Sequence, residues 1–350
     1  MINLFLLACL TMFIALVITP AFIKIAKRWN WTDLPNNRKV HKDPIPTLGG
    51  IAIFISFIIG LIITQPEGKY HVAILAGAVI VLIVGILDDL FELSPKAKLI
   101  GQLLAAGVVV FGGGLQVEFI NLPFGGQVEF GILSTVFTIL WIVGITNAIN
   151  LIDGMDGLAG GVSAIALLTI AAMAMIISHV YVFTMAIVLF FSTIGFLRYN
   201  FYPARIFMGD TGALFLGYMI SVLALLGFKN VAIISFVIPI FILGVPIADT
   251  LIAIVRRYIN KQPISGADKS HLHHRLMKLG FTHKQTVLFI YGLSLMFSVT
   301  AILFSMTTVW GSILIFTIAI LTVQILIESL GLINNDFKPL TKFVKGFWHK

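Results

Sequence analysis

Long apolar runs broken by short charged or Gly/Pro-bearing segments dominate the chain. They fall near residues 2–24, 47–64, 72–87, 98–112, 130–146, 158–177, 180–197, 212–227, 231–255, 285–304 and 310–330. Most approach the roughly 20 residues that carry a helix across the hydrocarbon core of a bilayer. The pattern therefore predicts an all-α polytopic integral membrane protein with about eleven transmembrane helices. The connections are too short for a large water-soluble unit, so residues 1–350 read as a single polytopic membrane domain. One connection departs from the helical pattern. LQVEFINLPFGGQVEFG alternates apolar and polar residues on both sides of a Pro/Gly turn, which predicts a small extracytoplasmic β-hairpin. Residues 331–350 are basic and aromatic and predict an interfacial tail on the cytoplasmic side.

Composition agrees and narrows the class. With 59% hydrophobic and only 11% charged residues, a soluble globular enzyme is excluded. The single cysteine, Cys9, lies inside the first apolar run and has no disulfide partner. Leu7, Ala8 and Cys9 faintly resemble a lipoprotein cleavage box, but no positive residue precedes them and the run continues to Ile23, so an uncleaved first span is expected. With the N-terminus outside, the inner connections and the tail hold all 23 Lys and Arg residues except Lys69 and Lys229. By the positive-inside rule this predicts an N-terminus outside, a C-terminus in the cytoplasm, and multi-pass residence in the cell membrane. The net charge of +8 is then a property of the cytoplasmic face, accounted for by topology and attraction to anionic headgroups rather than by nucleic acid. Ten acids, Asp33, Asp43, Asp88, Asp89, Glu92, Asp153, Asp156, Asp210, Asp268 and Asp336, fall on or near that same face. Carboxylates inside a basic rim suggest a metal held among phosphates.

Four segments concentrate the candidate chemistry. The third run ends directly in Asp88 and Asp89, and two adjacent carboxylates at a bilayer edge need water, a cation or a metal to hold their charge. A solvated helix end is the bland alternative; Lys98, at the start of the next run, could face a phosphate. In NAINLIDGMDGLAGG, Asn147, Asn150, Asp153 and Asp156 recur every third residue, so a helix would set them along one slowly rotating polar stripe. A packing turn explains the glycines there but not two amides and two carboxylates in register. In RYNFYPARIFMGDTGALFLG, Asp210 precedes an apolar helix as an N-cap would. Capping leaves Phe207, able to stack on a base, and Arg198 and Arg205, able to meet a diphosphate, unexplained. The loop ISGADKSHLHHRLMKLG carries His271, His273 and His274 beside Arg275. Zinc would want a thiolate or a closed nitrogen set, and hard oxygen ligands dominate the other loops, so magnesium or manganese suits the chain better. Lys42 and Thr47, in RKVHKDPIPTLGG, are candidates for phosphate contact with a solvated loop as an equal alternative, and Asp249, after Pro246, is either functional or a helix cap.

Together, the PTLGG turn, the DDLFELSPKAKLIGQ block, NAINLIDGMDGLAGG, FMGDTG and HLHH, in this order on one face, resemble the polyprenyl-phosphate N-acetylhexosamine 1-phosphate transferases. The HLHHRL form is similar to the WecA/TagO-type branch rather than the MraY-type branch of peptidoglycan synthesis. The resemblance implies transfer of N-acetylglucosamine 1-phosphate from UDP-GlcNAc to undecaprenyl phosphate at the cytoplasmic face, with Mg2+ required and UMP released, as a first step of teichoic acid or related envelope polysaccharide synthesis. It implies that Asp88 and Asp89 are the catalytic pair, that Asp210 binds the metal, and that Asp89 is a candidate second ligand. Asn150, Asp153 and Asp156 would line the uridine and catalytic pocket, Phe207 would stack the uracil, and Lys42 would sit near the nucleotide. His271, His273 and His274 would contact the diphosphate or amino sugar. Apart from the resemblance, the residues themselves make Thr47, Lys98, Arg205 and Arg275 further candidates for substrate contact. Two rivals remain: the phospho-MurNAc-pentapeptide transferase and a secondary transporter, the latter expecting acids near the midplane. Sequence leaves open whether the lipid phosphate attacks directly or an aspartyl intermediate forms, and it leaves the oligomeric state open, a homodimer included.

Overall fold

The computed structural model describes residues 2–33, 44–121, 126–228, 237–262, 270–333 and 339. It is helical almost throughout. The helices are α1 (Ile2–Arg28), α2 (Gly49–Thr64), α3 (His71–Phe91), α4 (Pro95–Gly107), α5 (Leu133–Leu151), α6 (Leu158–Ile176), α7 (Val180–Asn200), α8 (Gly209–Phe228), α9 (Val237–Ile242), α10 (Gly244–Ile259), α11 (Leu272–Lys278), α12 (His283–Met306) and α13 (Val309–Leu330). A π-helical turn over Val108–Gly112 extends α4. Among the described residues nine helices are long and apolar enough to cross a membrane, and α2, at 16 residues, is a shorter apolar helix. The run expected over 231–255 is not one continuous helix: its described part breaks at Leu243 into α9 and α10, with Pro239 and Pro246 flanking the break.

Two short antiparallel pairs complete the secondary structure. β1 (Thr32–Asp33) pairs with β2 (Ile45–Pro46). β3 (Phe119–Asn121) pairs with β4 (Gln127–Glu129), Phe119 opposite Glu129, within the segment whose alternation pointed to a hairpin. Lys42 and most of the tail expected over 331–350 lie outside the described residues.

The helices differ most in what surrounds them. Every residue from 211 to 227 of α8 is buried, with α2, α3, α5 and α6 packed around it. By contrast, α13 buries only Ser312, Ala319 and Glu328, so its apolar side chains face outward. A helix apolar on all sides is at home in either place, and the neighbours decide which. Many hydroxyls within the bundle turn back onto their own helices, as Thr146 Oγ1 does onto the Ile142 carbonyl (2.6 Å) and Ser192 Oγ onto Val188 (2.9 Å), so those polar groups are satisfied without water.

Glycines fix how closely α8 begins against its neighbours. A Cβ on Gly50 of α2 would run into the backbone N and Cα of Gly212, and one on Gly85 of α3 would meet Thr211 N at 2.7 Å and Asp210 O at 2.8 Å. Backbone lies directly on backbone at both contacts. The chain around PTLGG is also stitched to the approach to α8: Phe207 N donates to Pro46 O (2.8 Å), Gly49 N to Phe207 O and Gly50 N to Met208 O (both 3.0 Å). The last turn of α3 is thereby held against the first turn of α8.

Candidate active site

The end of α3 and the start of α8 bring three of the expected aspartates together. Lys98, one turn into α4, places its ammonium 2.7 Å from Asp88 Oδ2 and 2.6 Å from Asp210 Oδ2. Asn150, in the last turn of α5, donates from Nδ2 to the same Asp210 oxygen at 3.3 Å. Lys98 was expected to face a phosphate; in the structure it bridges two carboxylates across three helices. The ion pairs are only partly shielded, with the three side chains 11–25% exposed, so the cluster opens to solvent on one side.

Asp89 has a different task from its neighbour. Its Oδ1 accepts from Asp210 N (2.9 Å), and its Oδ2 accepts from both Thr211 N (3.1 Å) and Thr211 Oγ1 (2.6 Å). Asp210 was expected to cap α8. It instead lies within the first turn, and the cap comes from Asp89 on α3, satisfying N–H groups that the helix itself leaves unpaired. Both oxygens of Asp89 are thus engaged by protein, whereas Asp88 and Asp210 present theirs to a cation.

The polar stripe expected through residues 147–156 does not form as one helix face, because α5 ends at Leu151. Asn147 turns away to exchange hydrogen bonds with Gln102 of α4 (2.5 and 3.2 Å), while Asp153 and Asp156 lie in the turn after α5. Asp156 Oδ2 accepts from Ala204 N at 3.0 Å, tying that turn to the loop after α7. The Asp153 carboxyl is held well above the usual carboxylate range, chiefly by desolvation and then by the negative charge of Asp210, Asp89 and Asp156.

The histidine loop docks on the same turn. His271 Nδ1 and Leu272 N meet the two oxygens of Asp249, both at 2.8 Å, so Asp249 on α10 caps α11 rather than the helix broken by Pro246. The His271 and His273 rings are parallel within 2° at 6.0 Å, and His274 follows at 4.2 Å. A Cβ on Gly154 would lie 2.7 Å from His273 Nε2, so the ring sits directly over the backbone beside Asp153. Burial first, and the neighbouring His274 second, push the His273 imidazole down to about 4. It is a neutral hydrogen-bonding group at pH 7, not a cation.

The remaining expected residues scatter more widely. Phe207 is half-buried and anchored through its backbone beside Pro46, and Thr47 is half-buried with its N–H donated to Trp31 O at 3.1 Å. Arg205 is exposed and, with Arg198, borders a groove of about 640 Å³ between α1, α7 and α12. Neither arginine pairs with any of the site aspartates. Arg275 sits on α11 with its Nε buried and without a hydrogen-bond partner among the described residues. The sequence reading missed the structural use of Gly50 and Gly85 and the Asp249–His271 pair. The GG after PTL was one available signal; an aspartate 22 residues from its histidine partner offered none.

As a donor set, Asp88 and Asp210 are two carboxylates converging on one cationic position beside an amide oxygen-bearing side chain. With phosphate oxygens and water added, that is the hard-oxygen environment magnesium takes. Among the described residues no three His, Cys, Asp or Glu side chains converge as a closed protein site would require. The residues therefore fit an ion shared with a substrate's phosphates.

Residues 71–228, from the start of α3 to the end of α8, match the model of the family described as Glycosyl transferase family 4. Over 333 residues, 94% of this chain and 93% of the relative, the sequence is 49% identical to a probable undecaprenyl-phosphate N-acetylglucosaminyl 1-phosphate transferase of Bacillus subtilis. It is also 31% identical to the decaprenyl-phosphate N-acetylglucosaminephosphotransferase of Mycobacterium leprae, covering 76% of this chain and 75% of that one. An undecaprenyl-phosphate alpha-N-acetylglucosaminyl 1-phosphate transferase of Thermotoga maritima is 29% identical across 81% of this chain and 86% of its own.

Proposed function

The chain belongs to the polyprenyl-phosphate N-acetylhexosamine 1-phosphate transferases, and from that membership we propose that it transfers N-acetylglucosamine 1-phosphate from UDP-GlcNAc to undecaprenyl phosphate. The observation that carries the chemistry is the convergence of Asp88, Lys98, Asn150 and Asp210 where α3, α4, α5 and α8 meet. Both substrates are anionic, so such a site must manage negative charge more than it must activate a strong nucleophile.

In the direct mechanism an oxygen of the lipid phosphate attacks the sugar-bearing phosphorus of UDP-GlcNAc. A new P–O bond forms, the bond from that phosphorus to the bridging oxygen breaks, and its electron pair leaves with UMP. Asp88 accepts the proton of a monoprotonated lipid phosphate. Lys98 neutralises charge on the phosphoryl oxygens, and its position between two carboxylates holds the ammonium in place. Asp210 would hold a magnesium ion, which when bound supplies charge neutralisation at the diphosphate. Asp89 holds the first turn of α8 so that Asp210 stays opposite Asp88. His273, neutral and stacked over Gly154, donates or accepts a hydrogen bond at the diphosphate or sugar, and Phe207 offers its ring to the uracil.

We propose further that this site faces the cytoplasm of a cell membrane, with α2 and the α9–α10 pair completing about eleven crossings and the β3–β4 pair outside. The distribution of Lys and Arg over the connections supports that orientation. The test is UMP release by the purified full-length protein in vesicles containing undecaprenyl phosphate and Mg2+, with UDP-GlcNAc or UDP-MurNAc-pentapeptide supplied separately. UMP from UDP-GlcNAc that requires both lipid and metal is expected. Release only from the pentapeptide donor would move the protein to the peptidoglycan branch.

A further inference from the structure

Asp249 is 7% exposed and His271 6% exposed, and they meet through Oδ2 and Nδ1 at 2.8 Å. Capping α11 would need only one acceptor for Leu272 N, and a hydroxyl or amide side chain supplies that. Here the second carboxylate oxygen is spent on an imidazole. A carboxylate only accepts, so the ring proton stands on Nδ1 and Nε2 is left as the nitrogen with no partner among the described residues. The His271 ring lies parallel to that of His273, and His273 lies over Gly154 in the turn carrying Asp153 and Asp156. A carboxylate on α10 thus controls the first ring of a histidine row that ends at the aspartate turn.

We propose that Asp249 is a positioning residue for the transferase reaction: through the Nδ1 contact it fixes the tautomer and orientation of His271, so that Nε2 is presented to the anionic donor substrate. The same arrangement, a buried carboxylate selecting one tautomer of a working histidine, recurs where an imidazole must offer a defined nitrogen. The inference rests on the transferase reading given above for its kinetic readout and on the Asp249–His271 geometry alone for its spectroscopic one. Among the described residues, the titratable groups facing His271 are Asp249 from α10 and His273 from α11; beside His273 stand His274, His283 at the head of α12 and Asp153 next to Gly154.

The test compares wild type, Asp249→Asn, His271→Asn and the double variant, each full-length in vesicles. Asparagine keeps the size and an acceptor for Leu272 N, but its amide N–H turned to the ring selects the Nε2-protonated tautomer. Histidine-selective 15N solid-state spectra, with the His271 signal identified by its loss in His271→Asn, are expected to show Nδ1–H in wild type and Nε2–H in Asp249→Asn. UMP release should fall by about 10- to 100-fold in kcat, with the KM for UDP-GlcNAc changed far less and the melting temperature little changed. Because Asp249 acts through His271, the double variant should be no slower than His271→Asn alone. Nε2–H in wild type, multiplicative losses in the double variant, or a fall in activity that tracks only the loss of folded protein would each overturn the proposal. If wild type releases no UMP from UDP-GlcNAc, the transferase reading fails by itself, and the spectra still decide whether Asp249 sets the tautomer.

Discussion

Gly85→Ala tests whether close backbone contact is what assembles the site. Gly85, Asp88 and Asp89 stand at i, i+3 and i+4 on α3 and so share one helix face. A methyl on Gly85 would lie 2.7 Å from Thr211 N and 2.8 Å from Asp210 O, whereas ordinary contact begins near 3.4 Å. The obstacle is backbone on both sides, with no side-chain end to swing away, and the nearest atom is Thr211 Cα, so α3 and α8 must part by about 1 Å. Alanine favours a helix over glycine by roughly 0.5–1 kcal/mol, but overpacking of this kind costs roughly 1–3 kcal/mol, so the net effect is destabilising. The separation also loosens the three hydrogen bonds from residues 210–211 to Asp89 and draws Asp210 away from Asp88. Misplacement approaching 1 Å costs on the order of 100-fold in rate, so UMP release should fall at least about tenfold in protein that remains folded. Gly292→Ala on α12, where nothing lies within 4 Å of the added methyl, is the control and should keep its activity, with a melting temperature equal to or slightly above that of wild type. If Gly85→Ala keeps its activity within about twofold of wild type, the α3–α8 contact does not set the catalytic geometry.

Asp88→Asn should lower kcat by about 100-fold or more while leaving UDP-GlcNAc affinity within a few-fold, and Asp210→Asn should shift the Mg2+ titration to higher concentration; an unchanged titration would remove Asp210 as the ligand. The raised pKa of Asp153 means the folded protein prefers its carboxyl neutral, a contribution present at low pH and lost as pH rises through the folded value. Asp153→Asn should therefore raise the melting temperature more at pH 8 than at pH 4, and parallel pH profiles would refute that. His273, held at about 4 against an ordinary 6.5, contributes stability above pH 6.5 that is lost as pH falls through 4, at most about 3 kcal/mol. In His273→Gln the drop in melting temperature between pH 7 and pH 4 should shrink, and an undiminished drop would assign acid sensitivity to other groups.

By itself the sequence determined the features that local chemistry and the bilayer impose. Runs of about 20 apolar residues can cross only as helices, because no water inside the membrane satisfies an open backbone, and the turns between them had to hold the polar groups. Asp88, Asp89, Asn150, Asp153, Asp210 and the HLHH histidines were legible as candidates for that reason: ionisable and amide side chains at the ends of such runs are costly without a use. The tertiary structure alone decided how they divide the work. Adjacent carboxylates with the same sequence signal part company, Asp88 to Lys98 and Asp89 to the backbone of α8, because a helix end gives neighbouring residues different directions. Asn147 and Asn150, three apart on α5, take different partners, Gln102 of α4 and Asp210, and Asp153 and Asp156 leave that helix altogether because α5 stops at Leu151. Periodicity could not tell the buried α8 from the outward-facing α13, since lipid and protein interior are equally apolar to a side chain. Nor could it pair Asp249 with His271, because which helix end meets which loop is fixed by packing between segments distant in the chain.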